Sequence, residues 1–148
     1  MATDANSVTK TPTHLWVVGI LALLFNAMGA LDYVMMRLEV PAYMAQLTDD
    51  MLAYYETFPI WMEIAWPVSV WAAVIGALLL LLKKRLAVTA FAVSTIGYLI
   101  AAIWTFGVSN PPEGVMTTGS TIFSIVIGVQ LALLWWYSRS MAAKGVLR

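Results

Sequence analysis

Two long apolar runs flank a three-residue cationic turn, Lys83-Lys84-Arg85, and this pattern organises the chain. Upstream, Ile60 to Leu82 carries one ionisable residue, Glu63; downstream, Leu86 to Val108 carries none. As a helix each run extends about 34 Å, enough to cross a hydrocarbon core of about 30 Å. Two further runs read the same way, Leu15 to Met36 and Thr117 to Tyr137. The pattern therefore predicts an all-α, integral membrane four-helix antiparallel bundle with spans at about 15–36, 60–82, 86–108 and 117–137.

The polar positions between the spans fill in the rest. Arg37 to Pro59 is too charged to cross a bilayer, and holds Arg37, Glu39, Asp49, Asp50 and Glu56. Thr48 is a good helix N-cap, and Asp49 and Asp50 suit the positive end of a helix dipole. Met51, Leu52 and Tyr55 share a face, so a short amphipathic outer helix is expected over about Asp49 to Thr57, ended by Pro59. A further helical turn is expected after Pro41. Asn110-Pro111-Pro112-Glu113-Gly114 reads as a loop. Residues 1–13 read as a mobile cytoplasmic tail and residues 139–148 as a basic cytoplasmic tail. Ala27 and Gly29 resemble a signal-peptide cleavage site, but Lys10 is balanced by Asp4 and the apolar run continues past Gly29. The first span is therefore expected to be retained.

Charge orients the spans. A cationic turn resists translocation, so it marks the cytoplasmic side and places both termini there, N-in and C-in. The basic residues Arg139, Lys144 and Arg148 agree. The outer segments carry one cation, Arg37, against Glu39, Asp49, Asp50, Glu56, Glu113 and, at the boundary, Glu63. Trp16, Trp135, Trp136 and Tyr137 fall at the inner interface, and Tyr33, Trp61 and Trp104 towards the outer one. The first and third spans share no motif, nor do the second and fourth, which argues against an inverted repeat.

Composition excludes several classes. Of 148 residues, 61% are hydrophobic and only 11% charged, whereas a soluble domain has about a quarter charged. The formal net charge is zero, so no basic field for nucleic acid exists. Cysteine is absent, which removes disulfides, thiolate catalysis and Cys-ligated metals. Methionines gather outwards (Met35, Met36, Met44, Met51, Met62, Met116), but they form no tight repeat, and His14 is the lone histidine. No metal, cofactor or catalytic residue is expected, and no nucleophile–base pair is legible.

A few residues carry candidate chemistry. Asn26 lies ten residues beyond Trp16, about 15 Å into the membrane, on a face with Gly19, Ala22, Gly29, Ala30 and Tyr33. Ser94 reaches similar depth with Gly97 and Ala101, as does Ser124 with Ser120 and Gly128. These faces suit a hydrogen-bonded packing layer or a polar pocket for a small solute. Asp32 and Glu63 are acids embedded in spans, near the outer end, and Arg37 is placed to neutralise one or both. Pro67 frees the carbonyl of Glu63 and tends to kink the second span beside Trp66, and Ser69 or water can satisfy that carbonyl.

Some stretches resemble a family. His14-Leu15-Trp16-Val17-Val18-Gly19-Ile20 and Asn26-Ala27-Met28-Gly29-Ala30-Leu31-Asp32-Tyr33 are similar to the start of uncharacterised small four-span inner-membrane proteins of proteobacteria. Tyr43-Met44, the Pro59 region, Trp71, the Lys83 to Val88 turn and Gly145-Val146-Leu147-Arg148 continue the likeness over most of the chain. Some of these proteins carry the label of sugar transporter. The resemblance implies the four-span topology and a bacterial inner-membrane location, and transfers no catalytic residue. A sugar site needs several hydrogen-bonding groups; the mid-membrane candidates are Asn26, Ser94, Thr95, Ser124 and Gln130, with Trp66, Trp71 and Trp104 as stacking platforms. The first functional expectation is a non-catalytic accessory or assembly subunit of a larger inner-membrane complex, partnered by lipid and by other subunits or its own copies. The alternative is a small-solute transporter, sugars included, working as an oligomer. A sensor capped by the Arg37 to Pro59 segment is a third.

Overall fold

The computed structural model describes residues 10–148; the first nine residues of the expected N-terminal tail lie outside the described residues. The described chain is all-α, with no strand among the described residues. Helix α1 spans Thr13–Arg37, α2 Pro41–Met44, α3 Asp49–Glu56, α4 Ile60–Leu81, α5 Leu86–Ile103 and α6 Thr118–Ala143. Four stretches are long and apolar enough to cross a membrane: α1, α4, α5 with the turn that follows it, and α6. Their outer faces are apolar, with Leu21, Leu24, Ile64, Ile75, Ile96 and Leu133 all exposed. A soluble protein buries such side chains, and lipid solvates them without cost. The protein is a multi-pass membrane protein.

Three of the helices end in the same way. After α1, α4 and α6 the chain turns left-handed, at Glu39 (φ 49°), Lys83 (φ 56°) and Gly145 (φ 71°). In each case two backbone N–H groups return to the last turn, as in Lys83 N to Leu80 O and Lys84 N to Leu79 O. This is the Schellman arrangement, which satisfies carbonyls that the helix end would strand. Glycine is its usual occupant, and only Gly145 supplies one. The short helices α2 and α3 form as their caps dictate: Thr48 accepts from Met51 N at 3.3 Å, and Pro41 opens α2.

Helix α4 packs against both α1 and α5, and α5 packs against α6. The α4–α5 seam is the tightest. A Cβ added at Gly97 would stand 3.0 Å from the Ala65 carbonyl oxygen and 3.0 Å from Ser69 Cβ. Phe91, fully buried, fills the space beside Gly76. Gly128 of α6 lies against the Tyr98 ring of α5. Helices α1 and α6 stay apart along most of their length, leaving an apolar groove of about 870 Å³ lined by Val18, Leu21, Phe25, Val129, Gln130 and Leu133.

The core is unevenly distributed. Its buried cluster joins Leu15, Leu80, Ala87, Phe91, Leu134 and Met141, all at the end of the bundle that holds the Lys83–Arg85 turn. Val146 and Leu147 belong to it too, only 6% and 3% exposed. Arg85 N donates to Arg148 O, and Arg148 N donates to Lys83 O, both at 2.8 Å. The expected basic tail at 139–148 is therefore corrected. Helix α6 runs to Ala143, past the expected limit at Tyr137, and the last residues fold back into the core. Their apolar pair, Val146-Leu147, drives this, and charge at Arg139 does not stop a helix. At the same end, His14 Nδ1 and the Tyr137 hydroxyl lie 2.6 Å apart. The polar cavities lie in the other half of the bundle, while the α1–α6 groove reaches down to Leu134 and Tyr137.

Candidate solute cavity

A cavity of about 330 Å³ opens among the four long helices. Helix α1 contributes Asn26, Gly29 and Asp32, α4 Trp66 and Ser69, α5 Ser94, and α6 the apolar wall of Phe123, Ile127 and Leu131. Four of the residues that the sequence singled out thus meet in one space: Asn26, Asp32, Trp66 and Ser94. Gly29 lies on this cavity and not in a helix contact, since a Cβ there would meet nothing within 4 Å. Asp32 is exposed, which places it at the opening.

Asn26, Ser69, Ser94 and Asp32 each have a definite partner. Asn26 is buried, and its Nδ2 donates to Ala22 O at 2.7 Å. A carbonyl only accepts, so this bond fixes the amide orientation and turns Oδ1 away as an acceptor. Ser69 Oγ donates to Ser94 O at 2.8 Å, and Ser94 Oγ donates to Ser69 O at 2.7 Å. Of the two partners expected for the Glu63 carbonyl freed by Pro67, Ser69 or water, Ser69 drops out, because its hydroxyl is committed across the helix seam. Asp32 Oδ1 accepts from the Tyr43 hydroxyl at 2.9 Å. Burial first, then the bond to Asp32 and its charge, push the Tyr43 phenol well above its ordinary range. Burial, followed by the charge of Asp32, also raises Tyr55. Both phenols remain donors at physiological pH.

Arg37 and Glu63 sit elsewhere. Arg37 Nη2 is 3.8 Å from Glu63 Oε2, both side chains nearly half exposed. Arg37 thus serves one acid, Glu63, while Asp32 is held by a tyrosine. The pair lines a second groove, of about 410 Å³, with Glu39, Glu56, Tyr55 and Trp66. Trp66 borders both spaces. Around it stand Tyr33 (edge to face, centroids 5.4 Å), Tyr55 (stacked, 6.1 Å) and Phe58 (6.2 Å). Ser124 is separate from the cavity: its Oγ and carbonyl both meet the Tyr98 hydroxyl. The expected single polar layer therefore resolves into three contacts, Asn26 with its own helix, Ser69 with Ser94, and Ser124 with Tyr98.

No protein-family model, curated protein or solved structure matches this chain. What the site can do rests on its own geometry. Sequence reasoning missed Tyr43 as the partner of Asp32, because the reversal at Glu39 that brings α2 back over α1 has no glycine to signal it. It also missed the aromatic group about Trp66. Beyond α5 the backbone makes a π-helical turn, Trp104–Val108, closed by Ser109 N to Trp104 O at 2.8 Å. The Tyr54 hydroxyl meets Ser109 Oγ at 2.7 Å. That contact ties the short helix α3 to the end of α5 beside the cavity.

Proposed function

We propose that this chain is a non-catalytic protein of the bacterial inner membrane that binds a small solute in the cavity and passes it across the bilayer as an oligomer. The observation that carries this reading is the joining of Asn26, Asp32, Trp66 and Ser94 around one cavity of about 330 Å³, a size typical of ligand sites. The core closes the bundle at the cationic-turn end, and the exposed Asp32 stands at the other end of the cavity, an arrangement that suits one state of an alternating carrier. The four spans run antiparallel with both termini cytoplasmic. Supporting this, Ala65 meets Gly97 and Gly76 meets Phe91, a pairing of α4 with α5 in opposite directions, and the Arg148 backbone sits on the Lys83–Arg85 turn, the cationic end that the positive-inside rule assigns to the cytoplasm. The bacterial location rests on the resemblance to proteobacterial four-span proteins. A thermal-shift panel of small cations, anions and sugars on the purified protein tests the reading. One class is expected to stabilise the wild type, by about 2.7 kcal/mol at a hundred times its Kd, and to leave Trp66→Ala unmoved. A panel without any shift refutes it.

A second reading, an accessory subunit of a larger complex, draws support from the groove between α1 and α6. The Gln130 side chain lines it, and neither of its enclosed amide atoms finds a partner among the described residues. Those atoms are closed off within the chain, so what the groove offers a neighbouring subunit is its apolar wall, which a further helix can pack against. Purification in mild detergent discriminates: larger partner subunits favour this reading, and a lone chain or homo-oligomer favours the first.

A further inference from the structure

We infer that the solute of this cavity is a small organic cation, a protonated or quaternary amine on an apolar or aromatic body, and not a sugar. The inference rests on the solute-binding reading above and narrows it to a chemical class. Its basis is the balance of donors, acceptors and charge around the space.

Among the described residues, Asp32 is the one ionisable residue that lines the cavity. Its partner is the neutral Tyr43 hydroxyl, so its charge is left without a cation. Arg37, the nearest cation in sequence, is turned to Glu63 and over the Tyr33 ring, 5.7 Å from its centroid. The hydroxyl protons of Ser69 and Ser94 are spent on each other's carbonyls. One N–H of Asn26 is spent on Ala22 O. What the lining groups keep in reserve is mainly acceptor capacity, the Asp32 carboxylate first and Asn26 Oδ1 second. The donors left to the wall are the second Asn26 N–H and the Trp66 indole N–H. A sugar presents many hydroxyls that both give and take, and this wall cannot match them. A positively charged, donor-rich head with an apolar body fits it.

Two further observations point the same way. The remaining wall is aromatic and apolar, with Phe25, Met28, Trp66 and Phe123, and ring faces attract cations. The second groove, which shares Trp66, holds three carboxylates, Glu39, Glu56 and Glu63, against Arg37 alone. Such a vestibule concentrates cations and repels anions. Volume sets the ligand size. A dry cavity of about 150 Å³ holds one benzene ring, so roughly twice that volume suits a ring bearing a small ammonium head.

Calorimetric titration of the full chain in detergent with benzyltrimethylammonium, benzenesulfonate and glucose tests this. The cation is expected to bind saturably, while the other two neither bind nor compete. Asp32→Asn retains an acceptor for Tyr43, so it is expected to fold and to weaken the cation at least about tenfold, a difference of about 1.4 kcal/mol. Asp32→Glu keeps the charge and is expected to stay within about threefold of wild type. Trp66→Leu, which keeps an apolar helix face, provides a second variant and is expected to weaken binding by a similar factor. Binding of glucose or benzenesulfonate in place of the cation overturns the inference and leaves the solute reading standing. Silence from all three probes overturns both. Cation binding that survives both Asp32→Asn and Trp66→Leu in helical, monodisperse protein places the site elsewhere and overturns the inference.

Discussion

Replacing Gly97 by alanine tests the seam on which the cavity is built. The new Cβ lies 3.0 Å from the Ala65 carbonyl oxygen and 3.0 Å from Ser69 Cβ, with Ser69 Cα at 3.3 Å. These are backbone or nearly so, and no rotamer change removes them. Restoring ordinary contact moves α4 and α5 apart by roughly half an ångström, which carries the Ser69–Ser94 bonds beyond the good O–H···O range of about 2.5–3.0 Å. Overpacking costs about 1–3 kcal/mol. Two weakened interhelical bonds add about 0.6 kcal/mol each. The expected loss is thus about 2–4 kcal/mol. Reversible SDS unfolding of the purified protein, followed by far-UV circular dichroism, reads it. Gly29→Ala is the internal control, because its Cβ meets nothing within 4 Å. That change is expected to be neutral or to stabilise by up to about 1 kcal/mol, since alanine is the better helix former. Equal midpoints for the two variants refute the packing described for α4 and α5.

Three other outcomes follow from local geometry. Lys83→Gly relieves a left-handed conformation that lysine adopts unwillingly (φ 56°) and is expected to raise stability by about 1 kcal/mol in the same assay. Leu147→Ala removes a buried side chain of the folded-back segment and is expected to cost about 2 kcal/mol or more, whereas a loss under about 0.5 kcal/mol contradicts its place in the core. Tyr43→Phe changes the alkaline limb of stability: a phenol raised in the folded state keeps its full contribution below the ordinary tyrosine value of about 10 and loses it as pH climbs through the raised one. Wild type is therefore expected to weaken above about pH 10 more steeply than Tyr43→Phe, as followed by unfolding between mildly and strongly alkaline buffer.

The spans were legible in the sequence because a bilayer leaves backbone groups no partner but their own helix. The apolar runs on either side of Lys83–Arg85 therefore read directly as helices, and Thr48 and Pro41 marked the short ones through their capping chemistry. The end of α6 was misjudged, since Ser138, Arg139 and Ser140 look like a polar tail while helix formation there depends on docking Val146 and Leu147. The pairing of Arg37 with Glu63 was within reach, as opposite charges at the same depth. The pairing of Asp32 with Tyr43 was not, because it depends on a reversal at Glu39 that sequence signals only through glycine. Asn26 and Ser94 were recognised for their depth, yet depth does not reveal which helix faces meet. Whether small residues close a seam, as Gly97 does, or leave a space, as Gly29 does, is decided by the side chains opposite.

Because the chain has no cysteine, single cysteines report cleanly on the wet cavity that the account requires. Gly29→Cys, on the cavity wall, and Ala77→Cys, in the sealed core at 0% exposure, are treated in intact spheroplasts and in inverted vesicles. The reagents are a trimethylammonium methanethiosulfonate and its sulfonate counterpart. Reaction at position 29 from the outer face, faster with the cationic reagent, with position 77 silent from both sides, is the result predicted. A silent position 29, or one that reacts only from the cytoplasmic face, contradicts an outward-open cavity.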